Sequence, residues 1–113
     1  MDGNYFKRNL PNPCGFEGVG KVIKAGKDKE DLIGKRVCFC TLNGGSWANY
    51  ALASQFVFPI DADVSVNSAA SGIVNPLTAL GFVHTTKSKG QNALIHTAAA
   101  SALGRMVNKL CIK

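Results

Sequence analysis

The sequence predicts a fold that starts as α+β and continues as α/β, and three observations lead to this prediction. Short apolar runs separated by glycines fill residues 16–60, a texture typical of a small barrel or sandwich. Residues 68–86 are rich in alanine and other apolar residues, which favours helix. Residues 92–113 have the order of one strand, a turn of small residues and one helix. The length of 113 residues allows one domain.

The first two strands are predicted from alternating apolar residues. Residues 16–25 alternate well enough for one strand, and residues 26–31 form a charged turn. Residues 36–41 follow as a second strand. Because successive side chains of a strand point to opposite faces, Cys38 and Cys40 are expected to share one face.

The later strands follow a strong glycine turn. Residues 43–45 read Asn-Gly-Gly, which indicates a tight turn. We predict strands over residues 47–53 and 56–60, and we expect Trp47 and Tyr50 to belong to the core of the barrel.

The helical region contains one proline. Residues 68–86 carry apolar residues usable on a helix, but Pro76 lacks the backbone N–H that a helix interior needs. We therefore predict two helical pieces that meet near Asn75. Residues 87–91 form a polar loop that contains Gly90.

The chain closes on a strand, a turn without bulky residues and a helix. Residues 92–96 are an apolar run fit for a buried parallel strand, and residues 97–102 are small. Apolar residues then recur at helical spacing: Leu103, Met106, Val107, Leu110 and Cys111. The start of such a helix can hold a nucleotide pyrophosphate, or the small turn can serve only to pack helix on strand. Both interpretations stay open.

Charge and composition exclude several classes. The net charge of +6 is scattered, without a basic helix face or interleaved aromatic residues, so we predict no nucleic-acid binding. A basic surface suits a phosphorylated cofactor or an acidic protein partner. No apolar run approaches the ~18 residues of a membrane span, and the N-terminus has no signal-peptide core. We predict an intracellular location, cytoplasmic or organellar, mitochondria included.

The cysteines do not have metal-ligand spacing. The two histidines, His84 and His96, are far from them in the sequence. We predict no metal site and four reduced thiols that act as small apolar side chains: Cys14, Cys38, Cys40 and Cys111.

Five motifs carry a family resemblance. They are GFEGVGKVIKAGKD, GKRVCF, GGSWANYA, NPLTAL and ALIHTAAASALGRM. In this order and spacing the chain resembles the medium-chain dehydrogenase/reductase superfamily from about residue 10 to residue 113. The resemblance implies a partial GroES-like barrel domain over residues 1–66, connecting helices over 67–90, and the truncated start of a Rossmann dinucleotide-binding domain over 91–113.

Two substitutions point to the zinc-free branch of that superfamily. Zinc members have a histidine where this chain has Phe16, and a cysteine where it has Val74. Neither side chain present here can bind zinc. The chain is more similar to quinone oxidoreductases and enoyl reductases, whose cofactor is usually NADPH. The resemblance therefore implies NADP or NAD as cofactor and no metal.

The resemblance also implies a set of cofactor-binding residues. Residues 98–104 match the glycine-rich phosphate turn, in which Gly104 is retained and Ala99 and Ser101 replace two glycines. The Ser101 hydroxyl is expected to offset the lost glycine by donating to the phosphate. Thr78 matches a residue near the nicotinamide, or it binds its own helix backbone. The cofactor-binding set is Thr78, Ala99, Ser101, Ala102, Leu103 and Gly104.

Other polar residues near these motifs have two interpretations each. His96 satisfies backbone groups or acts as a catalytic acid. Glu17 lies near the active site by resemblance or is a solvated carboxylate. Arg105 meets an anion or is solvated. No catalytic set can be assembled from these residues.

Two functions remain at this point. The first is a fragment or shortened relative of an NAD(P)H-dependent zinc-free oxidoreductase that transfers hydride to a quinone or an activated enoyl or enone substrate. We expect its catalytic set to be incomplete within 113 residues. The second is a non-catalytic structural subunit of a larger assembly, which requires a protein partner or a homo-oligomer.

Overall fold

The computed structural model describes residues 11–41, 44–53 and 55–112. Within these ranges lie strands β1 (Glu17–Lys21), β2 (Arg36–Cys40) and β3 (Gln55–Pro59), a 3-10 helix (Lys27–Leu32), and helices α1 (Val66–Ala69), α2 (Val74–Ser88) and α3 (Ala102–Cys111). The strands precede the α-helices along the chain, which is an α+β arrangement with a small sheet.

The sheet is an antiparallel meander in the order β1-β2-β3. Cys40 pairs with Gln55 and Phe39 pairs with Val57, so Phe56 is one extra residue on β3. Its φ of 50° marks the bulge, because a bulged residue departs from extended geometry. The two strands predicted at residues 16–25 and 56–60 are present in shorter or shifted form.

One face of the sheet carries the core that joins it to the helices. Cys38 and Cys40 are buried on the same face, as predicted, and cluster with Ile73, the residue before α2. Ile60 packs against this cluster. The sheet and the start of α2 are therefore joined by an apolar cluster, in which Ile73 packs on the two cysteines of β2.

The prediction of a strand over residues 47–53 was wrong. This segment forms bends and irregular backbone, and Trp47 and Tyr50 are 82% and 78% exposed rather than in the core. A strand exists only when a neighbour completes its hydrogen bonds, and the sheet pairs β2 directly with β3 instead. Asn43, part of the predicted turn, lies outside the described residues, whereas Gly44 and Gly45 have the positive φ values of 80° and 99° expected there.

Pro76 does not interrupt α2. It is the third residue of that helix, where the backbone N–H is not required by the intrahelical bonds, so the helix tolerates it. Two helical pieces are present as predicted, but they are separated by residues 70–73 and not at Asn75. In α1, the amide of Ser68 donates to the Ser65 hydroxyl at 3.1 Å, which caps that helix.

The end of α2 is fixed by Gly90. Its φ of 68° allows two hydrogen bonds to form. The Gly90 amide donates to the Lys87 carbonyl at 2.9 Å, and the Gln91 amide donates to the Thr86 carbonyl at 3.0 Å. This Schellman motif ends the helix and reverses the chain toward α3. Helices α2 and α3 pack on each other, with Ala79 and Val107 buried.

Residues 92–96 do not form the predicted buried strand. They have no ladder partner in the described part of the chain, and Ile95 is 99% exposed. A parallel strand needs a neighbouring strand to complete its hydrogen bonds, and β1, β2 and β3 pair only with one another. Among the helices described, none is long and apolar enough to cross a membrane.

Two of the cysteines differ from prediction. All four thiols are free, but Cys14 and Cys111 are exposed, so only Cys38 and Cys40 act as apolar side chains. Burial raises the pKa of Cys38 despite a backbone hydrogen bond that lowers it. Burial also raises the pKa of Cys40, and the Glu17 carboxylate adds to the rise for both thiols.

We expect Cys14 and Cys111 to react with the thiol reagent DTNB in the native protein, and Cys38 and Cys40 to react only after unfolding. A raised pKa leaves less thiolate at any pH below it, and thiolate is the reactive form. The measurement is the number of fast-reacting thiols near neutral pH, before and after addition of guanidinium. Four fast thiols in the native state would contradict the burial of the sheet cysteines.

Candidate cofactor-binding site

The start of α3 is capped by Ser101. The Ser101 hydroxyl oxygen accepts a hydrogen bond from the Gly104 amide at 3.0 Å, as expected for serine at this position. The Ser101 amide in turn donates to the Ala98 carbonyl at 2.9 Å. The Ser101 oxygen is thus engaged by its own helix, which leaves the hydroxyl proton free to be donated to another acceptor.

Two backbone amides remain at the start of this helix. Those of Ala102 and Leu103 donate to no group in the described part of the chain, because the first intrahelical bond is made by Arg105 to the Ser101 carbonyl. Unpaired amides at a helix N-terminus attract an anion, since they coincide with the positive end of the helix dipole.

Gly104 makes the closest approach between helix and turn. A Cβ at this residue would lie 2.6 Å from the carbonyl oxygens of both Ala98 and Ala99. Since backbone atoms cannot move aside as a flexible side chain can, any larger residue would separate α3 from the turn. The backbone of α3 therefore depends on glycine here for its position.

The strained residue of the turn is Ala98. Its φ is 53°, a left-handed conformation that costs alanine about 1–2 kcal/mol. The sequence pattern drew attention to Ala99 and Ser101 as replacements of glycine, but neither has positive φ. The conformational cost of the turn is thus borne by Ala98, the residue before Ala99, and not by the two residues that replace glycine.

His96 ties the segment before the turn to α3. Its Nδ1 lies 3.2 Å from the Thr97 carbonyl, and its Nε2 lies 3.1 Å from Oδ1 of Asn108 on α3. Both partners belong to the protein, and a neutral imidazole, which has one N–H, donates to one of these two acceptor oxygens in either tautomer. The ring holds the end of residues 92–96 beside the helix.

A cleft of about 860 Å³ opens beside these residues, between the last turns of α2, residues 91–98 and the start of α3. Ser101, Leu103 and Gly104 line it, and Lys89 brings a positive charge. Ala99, Ala102 and Thr78 are not among its lining residues. Three of the six predicted residues therefore line this cleft and three do not.

Thr78 lies on α2, away from the cleft. Its Oγ1 donates to the Val74 carbonyl at 2.7 Å, one turn earlier in the helix. This is the backbone hydrogen bond that the sequence allowed as one of two interpretations. The lone pairs of the half-buried hydroxyl remain as hydrogen-bond acceptors.

Glu17 has a role that sequence reasoning missed. Its Oε2 accepts hydrogen bonds from the amides of Ile73 at 3.2 Å and Val74 at 2.9 Å, at the start of α2. The half-buried carboxylate caps the helix from the sheet. The sequence held one indication of this role. The helix begins without serine, threonine, aspartate or asparagine at its own N-cap, so its first amides need an acceptor from elsewhere.

Comparison with known proteins gives several relatives. No known protein-family profile matches the chain. It is 30% identical over 115 residues to a mitochondrial enoyl-acyl-carrier-protein reductase of Caenorhabditis elegans, a match that covers 98% of this chain and 33% of the relative.

Crystal structures agree with that similarity. A Mesorhizobium loti protein assigned as an NADPH:quinone reductase superposes with a TM-score of 0.79 at 40% identity, over 88% of this chain and 30% of that one. A Bacillus thuringiensis protein with the same assignment gives a TM-score of 0.71 at 33% identity, over 96% of this chain and 33% of that one.

The chain belongs to the medium-chain dehydrogenase/reductase superfamily. Within that superfamily its relatives are enoyl reductases and NADPH:quinone reductases, as the ordered motifs predicted. The chain spans about a third of the length of these relatives.

Replacing Ala98 by glycine is expected to stabilise the protein by roughly 0.5–1 kcal/mol, because glycine adopts positive φ without the steric cost that alanine bears. Ala99→Gly is the matched control, and it is expected to lose roughly that amount through greater chain entropy. Urea denaturation of both variants measures the difference. A destabilised Ala98→Gly variant would show that residue 98 is not left-handed in solution.

Proposed function

We propose that this chain is part of an NAD(P)H-dependent, zinc-free oxidoreductase that transfers hydride to a quinone or to an activated enoyl or enone substrate. The proposal includes a GroES-like barrel portion over residues 1–66, connecting helices over 67–90 and the start of a Rossmann domain over 91–113. The names of the relatives support it, since they include enoyl reductases and NADPH:quinone reductases.

The observation that carries the proposal is the start of α3. A Cβ at Gly104 would fill the close-packed turn, and the amides of Ala102 and Leu103 have no acceptor within the described ranges. These groups fit a pyrophosphate, which needs donors and a backbone free of bulk. Ala99, Ser101 and Leu103 complete the proposed phosphate contact, with the Ser101 hydroxyl proton as a further donor.

A bound nicotinamide would supply the hydride, and the protein would bind and orient it. In the proposal, Thr78 accepts a hydrogen bond at the nicotinamide end while the α3 start binds the phosphates. Phe16 and Val74 offer no ligand where zinc members hold their metal, which supports hydride transfer by positioning and polarising hydrogen bonds. NADPH is favoured over NADH by the relatives' names. Their names also favour an intracellular location, with the mitochondrion as one candidate.

We expect the protein, purified at its natural length, to bind NADPH in a fluorescence titration, and Ala102→Asp to weaken this binding by roughly tenfold, or about 1.4 kcal/mol. The added carboxylate would repel the phosphates, yet an acidic residue in the first turn suits the helix dipole, so the fold should not suffer. Ala51→Asp, at an exposed residue of the irregular segment, is the matched control. A wild-type protein without NADPH binding, or equal affinities of both variants, would contradict the proposed site.

A second candidate function is that of a non-catalytic structural subunit in a larger assembly. Residues 92–96 are an apolar segment whose backbone has no ladder partner in the described chain, and Ile95 is almost fully exposed. Trp47 and Leu52 add exposed apolar surface elsewhere. Surfaces of this kind usually meet a partner, which would be another protein or a second copy of this chain.

Gel filtration with intact-mass measurement of the natural protein tests this second function. If residues 92–96 meet a partner, the protein elutes as a larger species, and Ile95→Lys shifts it toward the monomer while its circular dichroism is unchanged. Ile112→Lys, at an exposed isoleucine after α3, is the control and should leave the elution unchanged. A well-folded, soluble monomer of about 11.9 kDa would count against a structural subunit.

A further inference from the structure

Strand β1 forms one edge of the sheet. It pairs with β2 on one side, and no other strand of the described ranges lies on its second side. Two flanking hydrogen bonds set the alternation along β1, because the Thr41 amide donates to the Phe16 carbonyl at 2.7 Å and the Val22 amide donates to the Lys35 carbonyl at 3.0 Å. Residues of β1 with even numbers therefore bond to β2. The backbone groups of the others point to the open edge: Glu17, Val19 and Lys21.

The sequence of β1 is self-complementary in charge. It reads Glu-Gly-Val-Gly-Lys, with an acidic residue two positions before Val19 and a basic residue two positions after it. An antiparallel pairing of two copies around Val19 places Glu17 of each copy opposite Lys21 of the other. Opposite charges directly across two strands attract each other, and like charges repel. Antiparallel self-pairing thus matches both charges, whereas a parallel pairing in register would place like charges side by side.

The two glycines of β1 fit the same pairing. Gly18 of one copy lies opposite Gly20 of the second copy, in a pair without hydrogen bonds, where the Cα atoms approach to about 4.5 Å. Neither residue brings a side chain to this close approach. The N–H and C=O groups that point outward from β1 bond across the wider pairs, at about 5.5 Å between Cα atoms. Each backbone group at this edge thereby obtains the partner that it needs away from water.

The charged groups of β1 are available for this pairing. Glu17 uses Oε2 to accept the amides at the start of α2, and its Oε1 accepts from no donor in the part of the chain that the structure describes. Lys21 is exposed, and the ion pair found within the described ranges joins Lys35 to Asp31 instead. The helix start holds the Glu17 carboxylate in place, so a second copy meets an ordered acceptor for its Lys21 ammonium group.

We propose that two copies of this chain associate through the β1 edge, in an antiparallel pairing centred on Val19 that joins their two sheets into one. The interface is isologous, because the same residues of both copies meet around a two-fold axis. It lies on a different segment from residues 92–96. The inference does not depend on the proposed function, since neither cofactor nor substrate takes part in it.

Cysteine cross-linking tests the register, in a protein that also carries Cys14→Ser and Cys111→Ser to remove the exposed thiols. The pairing brings residue 19 of both copies to a Cα separation of about 5.5 Å, which suits a disulfide. We expect Val19→Cys to form a covalent dimer in a glutathione redox buffer roughly tenfold faster than Ile23→Cys. Random collision would favour the control, because Ile23 is 67% exposed and Val19 is half-buried. In the proposed dimer the two copies of residue 23 lie more than about 20 Å apart.

Sedimentation velocity over a range of protein concentrations tests the charges. We expect the protein at its natural length to dimerise reversibly, and Lys21→Glu to raise the dissociation constant by roughly tenfold, because it places carboxylates opposite each other twice. Lys27→Glu makes the same change of charge in the 3-10 helix, outside β1, and should leave the constant unaltered. Ile95→Lys acts on residues 92–96 and should leave the Val19→Cys cross-link unaltered.

Three results would overturn the inference. The first is a protein that stays monomeric at every concentration, as it would if Lys21 only protected the edge or if a different protein occupied it. The second is a dimer whose dissociation constant is the same with Lys21→Glu. The third is Ile23→Cys that cross-links as fast as Val19→Cys. If circular dichroism shows that Lys21→Glu does not fold, Lys21→Ala replaces it, with an expected weakening of roughly threefold.

Discussion

The carboxylate of Glu17 is the contact on which the arrangement of sheet and helices depends. One oxygen receives two amides at the start of α2, at 3.2 and 2.9 Å, directly beside the buried cluster of Cys38, Cys40 and Ile73. The apolar contact brings sheet and helix together without specifying direction, whereas the two hydrogen bonds fix the helix start in register with β1. Since α2 packs on α3, the position of the turn before α3 follows from the same contact.

The turn before α3 brings the chain close to the helix with few glycines. Gly104 alone makes the approach that a Cβ would prevent, and Ser101 caps the helix. Ala98 takes the left-handed conformation at a cost that glycine would not bear. Two amides at the helix start have no acceptor among the residues that the structure describes, so this end of the helix can attract an anion without further glycines.

The sequence predicted well where neighbours along the chain decide the structure. Alternation placed Cys38 and Cys40 on one buried face, and the small residues before Leu103 correctly located the start of α3. It failed at Trp47 and at residues 92–96, which were expected to be a core residue and a buried strand. Trp47 and Ile95 are apolar, but an apolar side chain is buried only where another part of the protein packs against it. The local sequence does not indicate whether such a packing partner is present.

By itself the sequence determined the superfamily, a region of strands followed by a region of helices, and the glycine that α3 requires. These follow from motif order, from the period of apolar residues and from the steric needs of single residues, all of which are local properties. Only the tertiary structure decided that Glu17 caps a helix 56 residues away. Such partners are chosen by the packing of the sheet on α2, because hydrogen bonds between distant residues form only after burial has brought them together.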